Sequence, residues 1–148
     1  MAPKYRQLLE LLNNLLLIEY QQRDVYETYS YYLFGLSSPG IQEHLEEHRK
    51  EEDEHIKTLQ RYLAALDAEP LLKRLEIPTI NPPIKNILKE DLRLERDAIK
   101  YYSDAIAEIE KIVENGEREF TALRVDLENI LVQEQEHVHD LIQWLRKE

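Results

Sequence analysis

Residues 131–138 read LVQEQEHV and decide how the rest of the chain is organised. Glu134 and His137 stand three positions apart within a helical pattern of apolar residues, and Glu52 and His55 repeat that spacing in the first half of the chain. Residues three apart lie on one face of a helix. Both pairs occur where that face otherwise carries apolar residues, so each pair is predicted to point into the protein core.

The apolar spacing predicts four amphipathic helices, and each of them carries a glutamate on its apolar stripe. The predicted helices run to about Leu33, from about Ile41 to Leu66, from about Asn81 to Val113, and from about Phe120 to Leu145. Asn115-Gly116 is predicted to end the third helix, with Gly116 in the left-handed conformation. The stripe glutamates, in chain order, are Glu19, Glu52, Glu95 and Glu134. Each lies near the middle of its helix, so the four carboxylates are predicted to meet at one level of a bundle.

The segment from Asp67 to Pro83 separates the second and third helices, and four of the chain's 6 prolines lie in it. Proline at this density excludes a helix. About 17 extended residues reach about 55 Å, whereas a helix of about 26 residues is about 39 Å long. The second and third helices can therefore run parallel. The predicted fold is all-α, a four-helix bundle with one long crossover between helices two and three.

The composition fits one domain that spans residues 1–148. Lys and Arg number 19 against 30 Asp and Glu, and the net charge of −11 argues against a nucleic-acid partner and suits a cationic one. The chain has no cysteine, which excludes disulfides and thiolate metal sites. The sequence has neither a membrane-length apolar run nor a secretory signal, so we expect a cytoplasmic protein with no membrane partner.

Polar residues interrupt the apolar stripes, and we interpret them as a site for two metal ions. A buried carboxylate without a partner is destabilising by several kcal/mol or takes up a proton, and no Lys or Arg lies nearby on these stripes. Two divalent cations would balance four carboxylates, and two neutral imidazoles would complete the ligand shells. This mixed ligand set suits iron or manganese, and zinc could also bind. The predicted metal-binding and catalytic residues are Glu19, Glu52, His55, Glu95, Glu134 and His137.

Three further residues are candidates for supporting these ligands. Tyr26 and Tyr102 each follow a stripe glutamate by seven positions, so each is a hydrogen-bond donor candidate for a ligating glutamate or an ordinary core tyrosine. Asp91 precedes the third-helix glutamate by one turn and is a candidate to hold the second ring nitrogen of a ligand histidine, or an exposed aspartate. His44 and His48 lie on roughly the same helix face as His55, where they either line a path for iron or serve as ordinary core or surface histidines.

The ligand-bearing segments resemble those of ferritin-like di-iron proteins, most closely bacterioferritin. They are residues 12–26, 52–55, 92–95 and 134–145. The resemblance implies that Glu52 and Glu134 bridge the two metals. Glu19 and Glu95 would be terminal ligands, and His55 and His137 would each bind one metal. The resemblance also implies a ferroxidase that oxidises Fe(II) with O2 or H2O2, with two irons in each site and usually a hollow shell that stores ferric mineral.

Two departures from bacterioferritin bear on haem and on the shell. Asp53 stands where bacterioferritins carry the methionine that binds haem, and the chain's one methionine is Met1, so no haem is expected. The sequence ends at Glu148 without the short fifth helix that lines the shell pores of bacterioferritins. A dimer, a smaller Dps-like shell and a full cage therefore all remain open.

Other functions fit the same ligands, and the surface predicts an oligomer. One alternative is a rubrerythrin-like di-metal oxidase or peroxidase that stores no iron, and another is a Dps-like particle that protects against oxidative stress.

Tyrosine is favoured at interfaces because it joins a large apolar ring to a polar tip. A homo-oligomer, at least a dimer through helices one and two, is predicted from tyrosines expected on exposed faces, namely Tyr5, Tyr20, Tyr29, Tyr31, Tyr32 and Tyr62.

Overall fold

The chain folds into four long helices, and the all-α prediction is confirmed. The computed structural model describes residues 5–32, 38–81 and 83–147. The helices are α1 (Arg6–Tyr29), α2 (Ser38–Ala65), α3 (Ile84–Glu114) and α4 (Thr121–Lys147), with short 3-10 turns at Ser30–Tyr32 and Arg118–Phe120. Among the described residues, no helix combines the length and the apolar character that crossing a membrane requires.

The helix ends differ from the predicted ones by a few residues. Helix α1 ends at Tyr29, and its predicted end at Leu33 lies outside the described residues. Helix α2 begins at Ser38 and not near Ile41. Its second residue is Pro39, and proline is tolerated in the first turn because an N–H group there makes no hydrogen bond within the helix. Gly116 after α3 has a φ of 102°, the left-handed conformation predicted for it.

Two apolar clusters occupy opposite ends of the bundle and reveal the helix directions. The large apolar cluster is formed by the N-terminal parts of α1 and α4 and the C-terminal parts of α2 and α3, including Leu12, Leu59, Ile109 and Leu127. The small apolar cluster is formed by the other ends of the same helices, including Leu45, Leu88 and Leu141. Helices α2 and α3 therefore run parallel, as the length of the crossover predicts.

The crossover, residues 66–83, runs back along the bundle and is held there by side chains of α1. The hydroxyl of Tyr29 donates to the carbonyl oxygen of Pro78 at 2.8 Å and accepts from the N–H of Ile80 at 3.0 Å. The amide of Gln21 donates to the carbonyl oxygen of Glu76 at 3.0 Å. These bonds give a segment without regular structure a defined path.

The prediction that Tyr20 is exposed is wrong. Its side chain is buried, with the guanidinium of Arg74 on the crossover 3.5 Å from the ring centroid and the amide of Gln60 donating to its hydroxyl at 2.6 Å. The crossover covers it, which the position of Tyr20 within α1 does not reveal. Tyr31 and Tyr32 are exposed as predicted, at 72% and 60%. The half-buried tyrosines are Tyr5, Tyr29 and Tyr62.

Candidate metal centre

A layer of ionisable side chains from all four helices separates the two apolar clusters. We call it the carboxylate layer, and it contains the six residues singled out in the sequence. The glutamates are 0% exposed and the histidines 2%. Along every helix, the layer lies between a stretch that packs into the large cluster and a stretch that packs into the small one. The members are Glu19, Glu52, His55, Glu95, Glu134 and His137.

The layer forms two overlapping groups, each with four possible ligand atoms within 4.8 Å of one another. Glu52 and Glu134 belong to both groups. We call the groups the His55 half-site and the His137 half-site, and their remaining members are Glu19 and His55 in the first, Glu95 and His137 in the second. A carboxylate has two oxygens, so each shared glutamate can face both half-sites at once.

The His55 ring turns one nitrogen toward the carboxylates and the other away from them. Its Nδ1 lies 2.9 Å from Glu134 Oε1, 3.4 Å from Glu19 Oε2 and 3.6 Å from Glu52 Oε2. Its Nε2 lies 2.5 Å from Oε1 of Gln133 on α4. The ring is therefore oriented with Nδ1 as its inward nitrogen.

The His137 ring has the same orientation with a different outer partner. Its Nδ1 lies 3.2 Å from Glu95 Oε1 and 3.3 Å from Glu52 Oε1. Its Nε2 lies 2.5 Å from Oε2 of Glu51 on α2. The ring of the buried His48 stacks on it, with the centroids 3.9 Å apart. Helix α2 thus fixes a histidine of α4, as α4 fixes His55 of α2.

The two tyrosines complete a cross-connection between α1 and α3. The hydroxyl of Tyr26 donates to Oε1 of Glu95 at 2.5 Å, and that of Tyr102 donates to Oε1 of Glu19 at 2.6 Å. Each half-site thus has one glutamate that accepts a hydrogen bond from a buried tyrosine on the other of these two helices. These hydrogen bonds hold one oxygen of each glutamate, and the second oxygen of each has no hydrogen bond within the described residues.

Asp91 fits neither interpretation from the sequence, since among the described residues it contacts no ligand histidine and it is not exposed. Its carboxylate is buried, but neither oxygen has a hydrogen-bond partner among the described residues. The outer nitrogen of His137 points toward α2, so Glu51 takes the contact that the sequence suggested for Asp91 on α3. Burial raises the pKa of Asp91 well above that of an ordinary aspartate, and the charges of Glu95 and Glu90 add to this effect.

Three contacting residues were missed in the sequence, and each of them had a visible signal. Glu51 and Gln133 each stand directly before the glutamate of a Glu-x-x-His pair, and each bonds the histidine of the other pair. The buried Gln22 follows Glu19 by three positions on the same helix face, and its amide donates to Oε2 of Glu134 at 3.4 Å. Spacing alone could have placed Gln22 at the site.

Without cations, the layer holds extra protons. Burial raises the pKa of Glu19 and Glu134 well above the usual glutamate value, and the charge of Glu52 adds to the effect. Burial also acts to raise the pKa of Glu52, but the nearby carboxyl group of Glu19 and the two histidine rings outweigh it and hold that pKa low. Burial acts to lower the pKa of His55 and His137, yet the neighbouring carboxylates raise both.

The donor set fits two divalent cations. Buried carboxylate oxygens without a hydrogen bond occur on all four glutamates of the layer, including both oxygens of Glu52. A buried oxygen of this kind is normally satisfied by a partner, a water or an ion. Four carboxylates carry a charge of −4 and two divalent metals +4, while two imidazoles add neutral nitrogen ligands. Iron, manganese and zinc all accept this combination.

Comparisons with known proteins agree with this architecture. The family described as Ferritin, a ferritin-like domain, matches residues 9–148. A ferritin-like, diiron-carboxylate protein from Bacillus anthracis str. Ames superposes with a TM-score of 0.88 at 21% identity, covering 98% of this chain and 99% of that one. BfrA from M. tuberculosis superposes with a TM-score of 0.83 at 22% identity, covering 99% of this chain and 85% of that one. No curated protein matches the chain in sequence.

Proposed function

Since the chain belongs to the ferritin-like domain family, we propose that it is a bacterioferritin-like ferroxidase that oxidises Fe(II) to Fe(III) at the carboxylate layer. The observation that carries this proposal is the pair of buried ligand groups that share Glu52 and Glu134. Two metals bound side by side need carboxylates that face both of them, and these two glutamates are the ones so placed.

The proposed ligand roles follow from the two groups. Glu52 and Glu134 bridge the metals, and each half-site adds one terminal glutamate and one histidine through Nδ1. The terminal glutamates are held by the tyrosine hydroxyls, and the histidines by their outer partners. Ligands positioned in this way support the short metal–metal separation of about 3.5–4 Å found in two-metal sites.

The reaction removes one electron from each of two Fe(II) ions, which are the substrate. With O2 as oxidant, 2 Fe(II) and 2 H⁺ give 2 Fe(III) and H2O2. With H2O2 as oxidant, 2 Fe(II) and 2 H⁺ give 2 Fe(III) and 2 H2O. Iron in paired positions supplies both electrons together, so the oxidant needs no one-electron step. The carboxylate layer contributes binding, charge balance and exclusion of bulk water by the apolar clusters on either side.

We further propose that the oxidation serves iron storage or detoxification in a homo-oligomer. The net charge of −11 gives an assembled particle an acidic field that raises the local concentration of Fe(II). Tyr31 and Tyr32 near the end of α1 are exposed aromatic residues of the kind found in interfaces, which favours a dimer through α1 and α2. The alternative is a di-metal oxidase or peroxidase that retains no mineral, since the same ligands serve both.

Alanine at the shared glutamates tests the ferroxidase. We expect Glu52→Ala and Glu134→Ala to slow aerobic Fe(II) oxidation at least about a hundredfold, because each change removes a ligand of both metals. Stopped-flow absorbance of Fe(III) measures the rate, and circular dichroism checks that the variants stay helical. Glu54→Ala is the matched control, since Glu54 is on α2 but its side chain is 72% exposed. A wild-type rate in either shared-glutamate variant would contradict the proposal.

Iron loading separates storage from oxidation alone. Wild-type protein is given Fe(II) aerobically in excess of two per chain, and light scattering with iron analysis follows the products. A closed particle that keeps the iron in solution supports storage. If the protein is a monomer or dimer that oxidises Fe(II) rapidly while the ferric iron precipitates from solution, the result supports the non-storing oxidase.

A further inference from the structure

The two half-sites differ in the side chain that holds the outer nitrogen of their histidine. The carboxylate of Glu51 meets Nε2 of His137, and the amide of Gln133 meets Nε2 of His55, each at 2.5 Å. Resting on the proposed function, we propose that Glu51 makes the His137 half-site bind the first metal, and that the His55 half-site takes the second. The two metal positions are then filled in a fixed order.

The ligands of the two half-sites match, so the outer partner is the first difference between them. Both histidines are 2% exposed, and both direct Nδ1 toward carboxylates. Each half-site has three glutamates and one histidine, with Glu52 and Glu134 common to both. Each terminal glutamate accepts one tyrosine hydrogen bond, at 2.5 Å in one half and 2.6 Å in the other. The ligand chemistry alone gives no reason for a preferred half-site.

A carboxylate and an amide act differently on an imidazole. A glutamate that has lost its proton can only accept, so Glu51 requires the proton of His137 on Nε2 and leaves the Nδ1 lone pair for a metal. An amide can present either its oxygen or its NH2 group, so Gln133 does not impose one tautomer on His55. The negative charge also makes His137 the more basic ligand, and such outer partners commonly change metal affinity by about 10–100-fold.

Ring stacking adds to this difference in positioning. His48 is 3% exposed, its Nε2 lies 3.2 Å from Oδ2 of Asp140, and its ring stacks on His137 at an interplanar angle of 22°. No aromatic ring stacks on His55 within the described residues. His137 is therefore held both at its outer nitrogen and on its ring face before a metal arrives, which reduces the ordering that binding requires.

A Zn(II) titration of ¹⁵N-histidine-labelled protein, followed by NMR, tests the order of filling. Zn(II) does not undergo oxidation, so the readout is independent of ferroxidase activity. The ring signals are assigned from His55→Ala and His137→Ala proteins. We expect the His137 signals to shift during the first equivalent and those of His55 during the second.

Exchange of the outer partners tests the cause. Glu51→Gln gives both half-sites an amide, and Gln133→Glu gives both a carboxylate, so in either variant the two histidines should shift much closer together in the titration. The double exchange should reverse the order. Glu51 and Gln133 both reach the protein surface and the changes are nearly isosteric, so the fold is retained, as circular dichroism will show. Glu47→Gln is the control, because it removes a charge one turn earlier on α2 from an exposed side chain.

The outcomes separate this inference from the proposed function. If His55 shifts first, if both histidines shift together in the wild type, or if the order survives the double exchange, Glu51 does not set the order and the inference is overturned while a metal centre remains. If neither histidine responds to Zn(II), the inference and the proposed metal centre fail together. Ordered filling in protein that lacks fast Fe(II) oxidation would uphold the inference and overturn the ferroxidase.

Discussion

The large apolar cluster and the carboxylate layer are built by neighbouring stretches of the same four helices and have opposite chemistry. In the cluster, buried side chains such as Leu12, Leu59 and Leu127 satisfy each other by contact alone. In the layer, equally buried glutamates leave carboxylate oxygens without hydrogen bonds. Burial therefore stabilises the fold in one region and works against it in the other.

The apolar clusters stabilise the bundle, whereas the carboxylate layer is the region proposed to bind metal. Apolar burial contributes about 25 cal/mol for each Å² removed from water, whereas a buried charge without a partner is destabilising by several kcal/mol. The fold can contain the layer only because apolar clusters lie on both sides of it. The two regions should consequently respond in opposite ways to substitution and to metal.

The largest expected effect is the loss of a side chain from the apolar cluster. Leu127→Ala should lower the free energy of unfolding by about 2–5 kcal/mol, because it leaves a cavity at a fully buried position. Urea unfolding measures this, and a metal titration should give an unchanged stoichiometry. Val125→Ala on the same helix is the control, since Val125 is 44% exposed. Loss of metal binding in Leu127→Ala would show that the two regions are not separable.

The next effect comes from metal in the layer. At a hundredfold excess over the dissociation constant of the tighter site, Mn(II) or Zn(II) bound there should raise the free energy of unfolding by about 2.7 kcal/mol. The metal replaces protons on buried carboxylates and imidazoles, so the effect should weaken as the pH falls. Leu127→Ala should gain as much as wild type, and Glu52→Ala much less. An unfolding midpoint that metal and chelator leave unchanged would argue against a core site.

The smallest expected effect isolates the destabilising charge of a single carboxylate. Asp91 is buried with no hydrogen-bond partner among the described residues, and its pKa is raised, first by burial and then by Glu95 and Glu90. Asp91→Asn should make the apo protein more stable at neutral pH by about 1 kcal/mol, the scale of a typical substitution. Asp104→Asn, an exposed change on the same helix, should have little effect.

The sign of the Asp91 effect follows from proton linkage. Because the folded-state pKa is raised, the folded protein keeps a proton that the unfolded chain releases above a pH of about 3.9. The stability of apo wild type therefore declines as the pH rises toward the folded-state pKa of Asp91. Near pH 3 the wild type and Asp91→Asn should be about equally stable, and the difference should grow with pH. A difference that is constant with pH would show that packing, not charge, explains the variant.

Helical periodicity was enough to predict the architecture, because each stripe must face the common core. The helix count and the burial of the six polar residues follow from it, and the length of the crossover adds the parallel arrangement of α2 and α3. Spacing predicts Tyr26 and Tyr102 as donors to some ligating glutamate or as ordinary core tyrosines, and the structure gives their partners as Glu95 and Glu19. Spacing within one helix carries this much information about the layer.

The errors concern contacts between elements that are distant in the sequence. Whether Glu51 or Asp91 meets His137 depends on how far α2 and α3 are rotated about their axes, which a stripe defines only to within a residue or so. Tyr20 was assigned to the surface because the path of the crossover cannot be derived from a segment that lacks periodicity. These details come from packing of the whole chain and not from any local pattern.

The division of the ligands between the two helical hairpins has a kinetic consequence. The α1–α2 hairpin contributes Glu19, Glu52 and His55, and the α3–α4 hairpin contributes the others. Each half-site draws on both hairpins, because one shared glutamate comes from each. The crossover is the one covalent link between the hairpins, so metals bound as proposed would cross-link them a second time. Separating the hairpins would then require breaking metal–ligand bonds, and the loaded protein would resist heat and proteases through slow unfolding as well as through equilibrium stability.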